Sequence, residues 1–170
     1  MMENFKNDVV LELPNITEIA FTKVDKNYFK VICINFLLFF IPLLVVLIVL
    51  HHFVISEEFL GKTTFIYIAF FLFFEYIFLH LFLGFPKRKY AVREKDISYT
   101  SGLFIKKMTT VPFSRIQHVE IDEKPVSRLF DLAALSVYTA GDSSDDLEIK
   151  GIKKETAQQI KEFISTKINE

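Results

Sequence analysis

The stretch VICINFLLFFIPLLVVLIVL, residues 31–50, decides the fold because it runs for twenty residues without a charge. At about 1.5 Å rise per residue, such a helix covers the roughly 30 Å hydrocarbon core of a bilayer. A second stretch of bilayer length, TFIYIAFFLFFEYIFLHLFLGF, follows at residues 64–85. A chain of 170 residues is too short to surround two helices that are apolar on every face. The sequence therefore predicts two transmembrane helices.

The overall composition favours a membrane protein and excludes several other classes. Half of the chain is hydrophobic (51%), with 20 phenylalanines and no tryptophan. The single cysteine excludes an intrachain disulfide framework and any cysteine-based metal site. A net charge of −1 excludes a nucleic-acid binder driven by bulk charge. We therefore expect membrane lipids as surroundings, no nucleic-acid partner, and no cofactor.

The two spans divide the chain into five parts. We predict an N-terminal segment over residues 1–30, transmembrane helices over 31–55 and 64–85, a link over 56–63, and a soluble domain over 86–170. A link this short forces an antiparallel hairpin. Lysine and arginine cluster before the first span and after the second, whereas the link carries one lysine. The positive-inside rule then predicts a multi-pass protein of the inner cell membrane, with both termini in the cytoplasm.

Three polar residues within the spans are candidate intramembrane helix–helix contacts: Asn35, Glu75 and His80. An ionisable group in a bilayer costs several kcal/mol and therefore marks a functional or structural contact. Glu75 lies near the depth of Pro42, which leaves the carbonyl of Leu38 without its helical donor, and His80 lies near the depth of Asn35. The two open interpretations are a proton or ion relay and interhelical or interchain hydrogen bonds. Because two helices are too few to enclose a pathway, the second is favoured.

The soluble part alternates apolar and polar residues in short runs that end at turns. The pattern predicts strands over 89–93, 97–99, 103–108, 110–121, 135–138 and 147–149. An amphipathic helix is predicted over 154–168, and the polar run DSSDD over 142–146 is predicted to be a loop. The inward positions are expected to be Val111, Phe113, Ile116, Val119 and Ile121. Short strands followed by one helix predict a small antiparallel barrel or sandwich whose open end the helix covers.

Three motifs in this part carry a resemblance to a known family. They are PFSRIQ at Pro112–Gln117, SRLF at Ser127–Phe130 and TAG at Thr139–Gly141. With two spans before them, they resemble the bacterial pleckstrin-homology-like membrane proteins of the YdbS type. The resemblance implies an α+β membrane protein in which a two-helix transmembrane hairpin precedes a pleckstrin-homology (PH)-like antiparallel β-sandwich or barrel. It further implies seven strands and a C-terminal helix in that domain.

One residue departs from the family pattern. Asp131 stands where the family usually has glycine after Leu-Phe. Because aspartate tolerates left-handed backbone better than most residues, we expect the turn to be retained.

Five residues of the soluble part are candidates for binding a ligand or partner: Arg115, Gln117, Arg128, Lys106 and Lys107. In one interpretation the arginines hold a phosphate or carboxylate. In the other they are structural and pair with Glu120, Asp122 or Asp131. The two lysines follow a predicted hairpin turn, where the resemblance to eukaryotic PH domains suggests a phosphoinositide site. Adjacent lysines in a strand point to opposite faces, which weakens that match.

The sequence predicts a binding protein and not an enzyme. It contains no nucleophile elbow, phosphate-cradling glycine loop or metal-ligand spacing. The family resemblance adds that members often accompany a larger relative carrying several copies of the domain. We therefore expect a membrane-anchored interaction or scaffold module that assembles with another membrane protein or with itself. The alternative is a lipid-headgroup sensor at the inner leaflet.

Overall fold

The computed structural model describes residues 19–53, 60–140 and 146–169. Most of the predicted N-terminal segment, most of the link over 56–63 and most of the DSSDD loop lie outside the described residues. The helices are α1 (Tyr28–Phe53), α2 (Leu60–Gly84), α3 (Pro125–Arg128) and α4 (Lys154–Asn169). The strands are β1 (Thr22–Lys23), β2 (Lys89–Val92), β3 (Asp96–Ser101), β4 (Lys107–Pro112), β5 (Ile116–Asp122), β6 (Leu132–Thr139) and β7 (Leu147–Lys153).

The helices α1 and α2 form the predicted hairpin. Both are long and apolar enough to cross a membrane, and 11% and 6% of the residues in their apolar windows are buried. Such exposure is incompatible with the core of a soluble protein, because apolar side chains on every face require lipid around them. α1 begins at Tyr28, earlier than predicted, after a turn in which the Asn27 amide donates to the Asp25 carboxylate at 2.8 Å.

Phenylalanine rings hold the hairpin together at mid-span. Phe74 of α2 is 4% exposed, and its ring centroid lies 4.9 Å from that of Phe40 and 4.7 Å from that of Phe70. In lipid, this packing must come from van der Waals contact, since the surrounding acyl chains are equally apolar. Phenylalanine is abundant in both spans, and its rings thus pack the two helices against each other.

The soluble domain is built of two antiparallel sheets. One contains β1, β2, β3 and β4 in that order, and the other contains β5, β6 and β7. The described residues therefore include the seven strands that the resemblance implies. One of them, β1, precedes the membrane hairpin in the chain and pairs with β2 through Thr22 opposite Tyr90. The predicted domain over 86–170 thus lacks one strand of its own first sheet.

The predicted strands over 103–108 and 110–121 depart most from the structure. The segment 103–106 is a loop, and β4 begins only at Lys107. The predicted strand over 110–121 is broken by a 3₁₀ turn at Phe113–Arg115, which lets β4 end in one sheet and β5 begin in the other. Pro112 precedes this break, and its missing amide donor suits the end of a ladder. Strict alternation is lost at the break, since three positions and not two separate Phe113 from Ile116, but a similar slip between Ile116 and Val119 is only a bulge within β5.

A β-bulge extends the last strand through its glycine. Ile152 pairs with Ala133 and Lys150 pairs with Ala134, so Gly151 is the extra residue. Its φ of 80° lies in the left-handed region, which glycine enters without strain. The strand predicted over 147–149 therefore continues for four more residues, to Lys153.

The domain core lies between the sheets and under α4. Of the five predicted inward positions, three are buried and Val119 and Ile121 are partly buried against the same core. The spacing of Ala157, Ile160, Ile164 and Ile168 predicts the inner face of α4, and the first three are buried whereas Ile168, near the end of the helix, is exposed. The helix packs on β5, β6 and β7 and so covers the second sheet.

A second apolar cluster joins the hairpin to the domain. Val24, Tyr28, Val31 and Ile32 of the N-terminal part pack with Leu132 of β6. Partly buried residues complete the cluster from both sides: Leu81, Phe85, Tyr90, Val126 and Phe130. The PH-like domain is therefore fixed directly on the ends of the membrane helices, and we call this contact the junction.

Candidate interaction surfaces

Glu75 lies at mid-span on the lipid-facing side of α2. It directly follows Phe74, whose ring faces α1, and a step of 100° per residue turns the carboxyl group outward. Its side chain is exposed, and no hydrogen bond or ion pair of Glu75 is found within the described ranges. No hydrogen bond joins Glu75 to the Leu38 carbonyl within the described part of the chain. The surface that it presents to the bilayer therefore contains an unsatisfied carboxyl group.

The other two polar residues of the spans point to the domain instead of to each other. Asn35 lines a cavity at the junction, and the His80 ring stacks on Phe104 with centroids 5.9 Å apart. No bond links Asn35 to His80 in the described residues. Both lie in the domain-proximal part of their helices, so each contacts the soluble domain at the membrane surface.

The five candidate residues of the domain lie at three separate places. Arg115 is exposed in the 3₁₀ turn after β4, and Gln117 is exposed as the extra residue of a bulge in β5. Lys106 and Lys107 lie at the opposite end of β4, about 17 Å away at 3.4 Å per residue. The structure does not bring these residues together around one ligand.

Arg128 belongs to a small ionic cluster beside α3. Its Nε lies 4.0 Å from Oε2 of Glu123, whose Oε1 is 2.8 Å from Nζ of Lys154. The amide of Lys154 also donates to the Asp131 carbonyl at 3.0 Å. Arg128 therefore has an ionic partner, as the structural interpretation expects. That partner is Glu123, and not one of the three acidic residues expected from the sequence. Asp131 has a φ of 53°, so the expected left-handed turn is present.

A cavity of about 230 Å³ opens at the junction between α1 and the domain. Its polar lining includes Asn35 of α1, Lys124 and Ser127 near α3, and Lys150 and Asp122 of the second sheet. Lys150 already pairs with Glu148 at 2.8 Å. Sequence reasoning missed this cavity, because its residues are distant in sequence and only the docking of the hairpin on the domain brings them together.

A further group that the sequence did not indicate lies on the outer face of the second sheet. The rings of His118 and Tyr138 stack with centroids 4.3 Å apart, and Nε2 of His118 lies 3.6 Å from a carboxylate oxygen of Glu120. Hydrogen bonding to Glu120 and the negative charge of that carboxylate raise the pKa of the Tyr138 phenol. The phenol therefore stays neutral, which makes it a hydrogen-bond donor on this surface.

A transmembrane hairpin fixed on a seven-stranded sandwich with a covering helix defines a membrane-anchored PH-like protein. The family model described as Bacterial PH domain matches residues 35–168, and the chain belongs to this family. The resemblance stated from the motifs is thus confirmed.

Two individual proteins are similar to this chain. One is UPF0699 transmembrane protein YdbS of Bacillus subtilis (strain 168), 30% identical over 77 residues that cover 45% of this chain and 46% of the relative. The match therefore spans about half the length of that relative. The other is a solved structure of a DUF1696 family protein with a pleckstrin-homology domain from Shewanella loihica PV-4. It is 16% identical with a TM-score of 0.38, covering 48% of this chain and 70% of that chain.

Proposed function

We propose that this protein is a membrane-anchored interaction module that assembles, through the lipid-facing side of α2, with another membrane protein or with a second copy of itself. The observation that carries this proposal is the exposed carboxyl group of Glu75 at mid-span, which has no partner among the residues that the structure describes. The PH-like domain, fixed at the junction, is then held in one orientation beside the assembled helices.

The energetic argument rests on the cost of a carboxyl group in hydrocarbon. An acidic side chain at the centre of a transmembrane helix costs about 3 kcal/mol on insertion scales. A hydrogen bond from a neighbouring helix recovers part of this cost, typically about 1 kcal/mol. The residues around Glu75 on this side of α2 are large and apolar. A partner helix would fit this side if it supplied small residues opposite these side chains and one polar group opposite Glu75.

The charge distribution supports the proposed orientation in the inner membrane. Basic residues gather where both helices meet the domain: Lys23, Lys26, Lys30, Lys87, Arg88 and Lys89. By the positive-inside rule this end, with both termini, faces the cytoplasm. Reporter fusions at the C-terminus that are active only outside the cytoplasm would contradict this orientation.

The test of assembly compares variants of the full chain in native membranes. Glu75→Leu removes the polar group, Glu75→Gln keeps a hydrogen-bonding amide, and Val46→Ala changes a lipid-exposed residue of α1, away from the proposed contact, as a control. After crosslinking and mild solubilisation, we expect the leucine variant to lose the larger assembly, whereas the other two retain it. An assembly of unchanged size and abundance in Glu75→Leu would show that the carboxyl group is not the contact. Two differently tagged copies that co-purify would identify the partner as the chain itself.

The junction cavity favours a second candidate function, which is recognition of a lipid headgroup. Lys124, Ser127 and Asn35 offer donors to an anionic headgroup, at the depth where α1 leaves the bilayer. The test is the set of phospholipids retained by the purified chain, measured by mass spectrometry. Lys124→Glu should reduce retained anionic phospholipid relative to Lys161→Glu on the outer face of α4. Equal retention in both variants would exclude the cavity as the site.

A further inference from the structure

The loop between β3 and β4, residues 102–106, presents two large apolar side chains away from the domain. Phe104 is 76% exposed and Ile105 is 84% exposed, although neither lies in a membrane helix. Gly102 has a φ of 105°, and a Cβ at this position would overlap the carbonyl oxygen of Ile105. The loop is therefore folded tightly onto itself, with these two side chains at its tip.

The tip points along the membrane helices. The Phe104 ring stacks on the ring of His80, with centroids 5.9 Å apart and an interplanar angle of 30°. His80 lies four residues before the end of α2 at Gly84, which places it about 6 Å inside that end at 1.5 Å per residue. Phe104 thus reaches the level of a residue that lies inside the predicted span over 64–85.

The junction fixes this depth. The Asp25 amide donates to the Gly151 carbonyl at 2.8 Å, and the Val24 amide donates to the Arg88 carbonyl at 3.4 Å. These bonds and the apolar cluster around Tyr28 tie both sheets of the domain to the ends of the two helices. The domain therefore cannot tilt the loop away from the bilayer without breaking the junction.

Two lysines follow the apolar tip. Lys106 and Lys107 are both exposed, and no acidic partner of either is found among the described residues. In an interfacial segment, apolar side chains enter the boundary of the acyl chains by about 5–10 Å while cationic groups stay among anionic headgroups. The order of residues in this loop fits such a distribution.

We propose that the β3–β4 loop is a third membrane-contacting element, which inserts Phe104 and Ile105 into the bilayer that the hairpin spans and places Lys106 and Lys107 among anionic headgroups of the same leaflet. The loop is independent of the Glu75 contact, since it lies on the domain and needs no second protein. It gives the PH-like domain a second point of attachment to the membrane besides the junction.

Because the chain contains no tryptophan, a single introduced tryptophan reports the environment of the loop. The purified full chain carrying Phe104→Trp is reconstituted into vesicles of equal parts phosphatidylcholine and phosphatidylglycerol, with or without bromine on the acyl chains. We expect the brominated lipid to quench the emission about twofold or more. Ile105→Trp should be quenched to a similar extent. This second variant shows whether the result depends on a distortion caused by the substitution at position 104.

The matched control is Phe163→Trp on α4. Phe163 is 39% exposed and packs edge-on to Phe113, at the end of β4 that lies opposite to the loop. Its tryptophan should be unaffected by brominated lipid. If neither loop variant is quenched more than this control, the loop lies in water or against protein and the proposal fails.

The lysines are tested in the Phe104→Trp background. Adding Lys106→Glu and Lys107→Glu should reduce the quenching in vesicles that contain phosphatidylglycerol and have little effect in phosphatidylcholine alone. Equal quenching with and without the two charge reversals in both vesicle types would overturn the role assigned to the lysines.

Discussion

The ring of Tyr28, at the start of the first membrane helix, packs directly on Gly151, in the bulge of the last strand of the soluble domain. A Cβ added to Gly151 would overlap the Cγ, Cδ1 and Cβ atoms of Tyr28. Arg88 covers the other part of the ring, with its guanidinium carbon 5.6 Å from the centroid and its Nη1 donating to the phenol oxygen at 3.4 Å. Residues from three distant parts of the chain thus meet at one point of the junction.

Gly151→Ala should destabilise the protein by about 3 kcal/mol, because it combines a left-handed backbone with a steric overlap. The measurement is thermal unfolding of the detergent-solubilised full chain. Gly84→Ala is the matched control, since an added Cβ has no atom within 4 Å there and φ is −77°. Unchanged stability in Gly151→Ala would mean that Tyr28 does not pack on this position. In that case the junction would not hold the domain as described.

Asp131→Ala should lower the free energy of unfolding by about 1 kcal/mol. The φ at this position is 53°, and alanine tolerates the left-handed backbone less well than aspartate does. The free energy of unfolding of Asp131→Gly should lie within about 0.5 kcal/mol of that of the unmodified chain. Glycine relieves the backbone strain of the folded state, but it also raises the conformational entropy of the unfolded chain, and the two effects oppose each other. Thermal unfolding of the two variants, measured side by side, gives the comparison. A glycine variant that is as unstable as the alanine variant would assign the effect to the lost carboxylate.

Phe74→Ala should destabilise the hairpin by about 2 kcal/mol, because it removes the ring at the centre of the α1–α2 contact. Phe65→Ala on the same helix changes an identical residue that is 73% exposed to lipid, and should have little effect. The readout is the temperature at which half of the detergent-solubilised protein aggregates. Equal decreases of the aggregation temperature in both variants would contradict the description of Phe74 as the residue that faces α1.

Stability should fall at alkaline pH through the paired tyrosines of β2 and β3. Tyr90 lies opposite Tyr99, and burial raises the pKa of each phenol above its ordinary value of 10.0. A raised pKa in the folded state contributes stability that is fully present below the unfolded pKa of about 10 and is lost as pH rises through the higher folded value. Melting temperatures measured across this range should fall more steeply for the unmodified chain than for Tyr99→Phe. If the melting temperatures of the two proteins fall in parallel with pH, the loss of stability does not come from Tyr99.

The membrane hairpin was predictable because its signal is local. Twenty uncharged residues are long enough to cross a bilayer and too many for a chain of this size to bury, and a short link admits only an antiparallel pair. The family motifs and the spacing of Ala157, Ile160 and Ile164 likewise predicted the sandwich and its covering helix. Each of these inferences depends on residues that are close together in the sequence.

The strand bounds and the first strand were not predictable in this way. The inward residues slip by one position between Phe113 and Ile116, but they slip again at a simple bulge in β5, so spacing alone could not show that the chain changes sheets after Pro112. The apolar residues 103–105 predict a strand, although the left-handed Gly102 folds them into a loop. Thr22 and Lys23 lie on the other side of two membrane spans from their partner β2, and no local pattern indicates a pairing at that separation.

The sequence by itself determined that this chain spans a membrane twice and carries a PH-like domain, because hydrophobic runs, periodicity and motifs act over short stretches. Only the tertiary structure decided which side of α2 carries Glu75 outward, that Tyr28 packs on Gly151, and that Phe104 reaches His80. These relationships join residues distant in sequence, and they are set by how the two helices and two sheets pack together, which no single segment encodes.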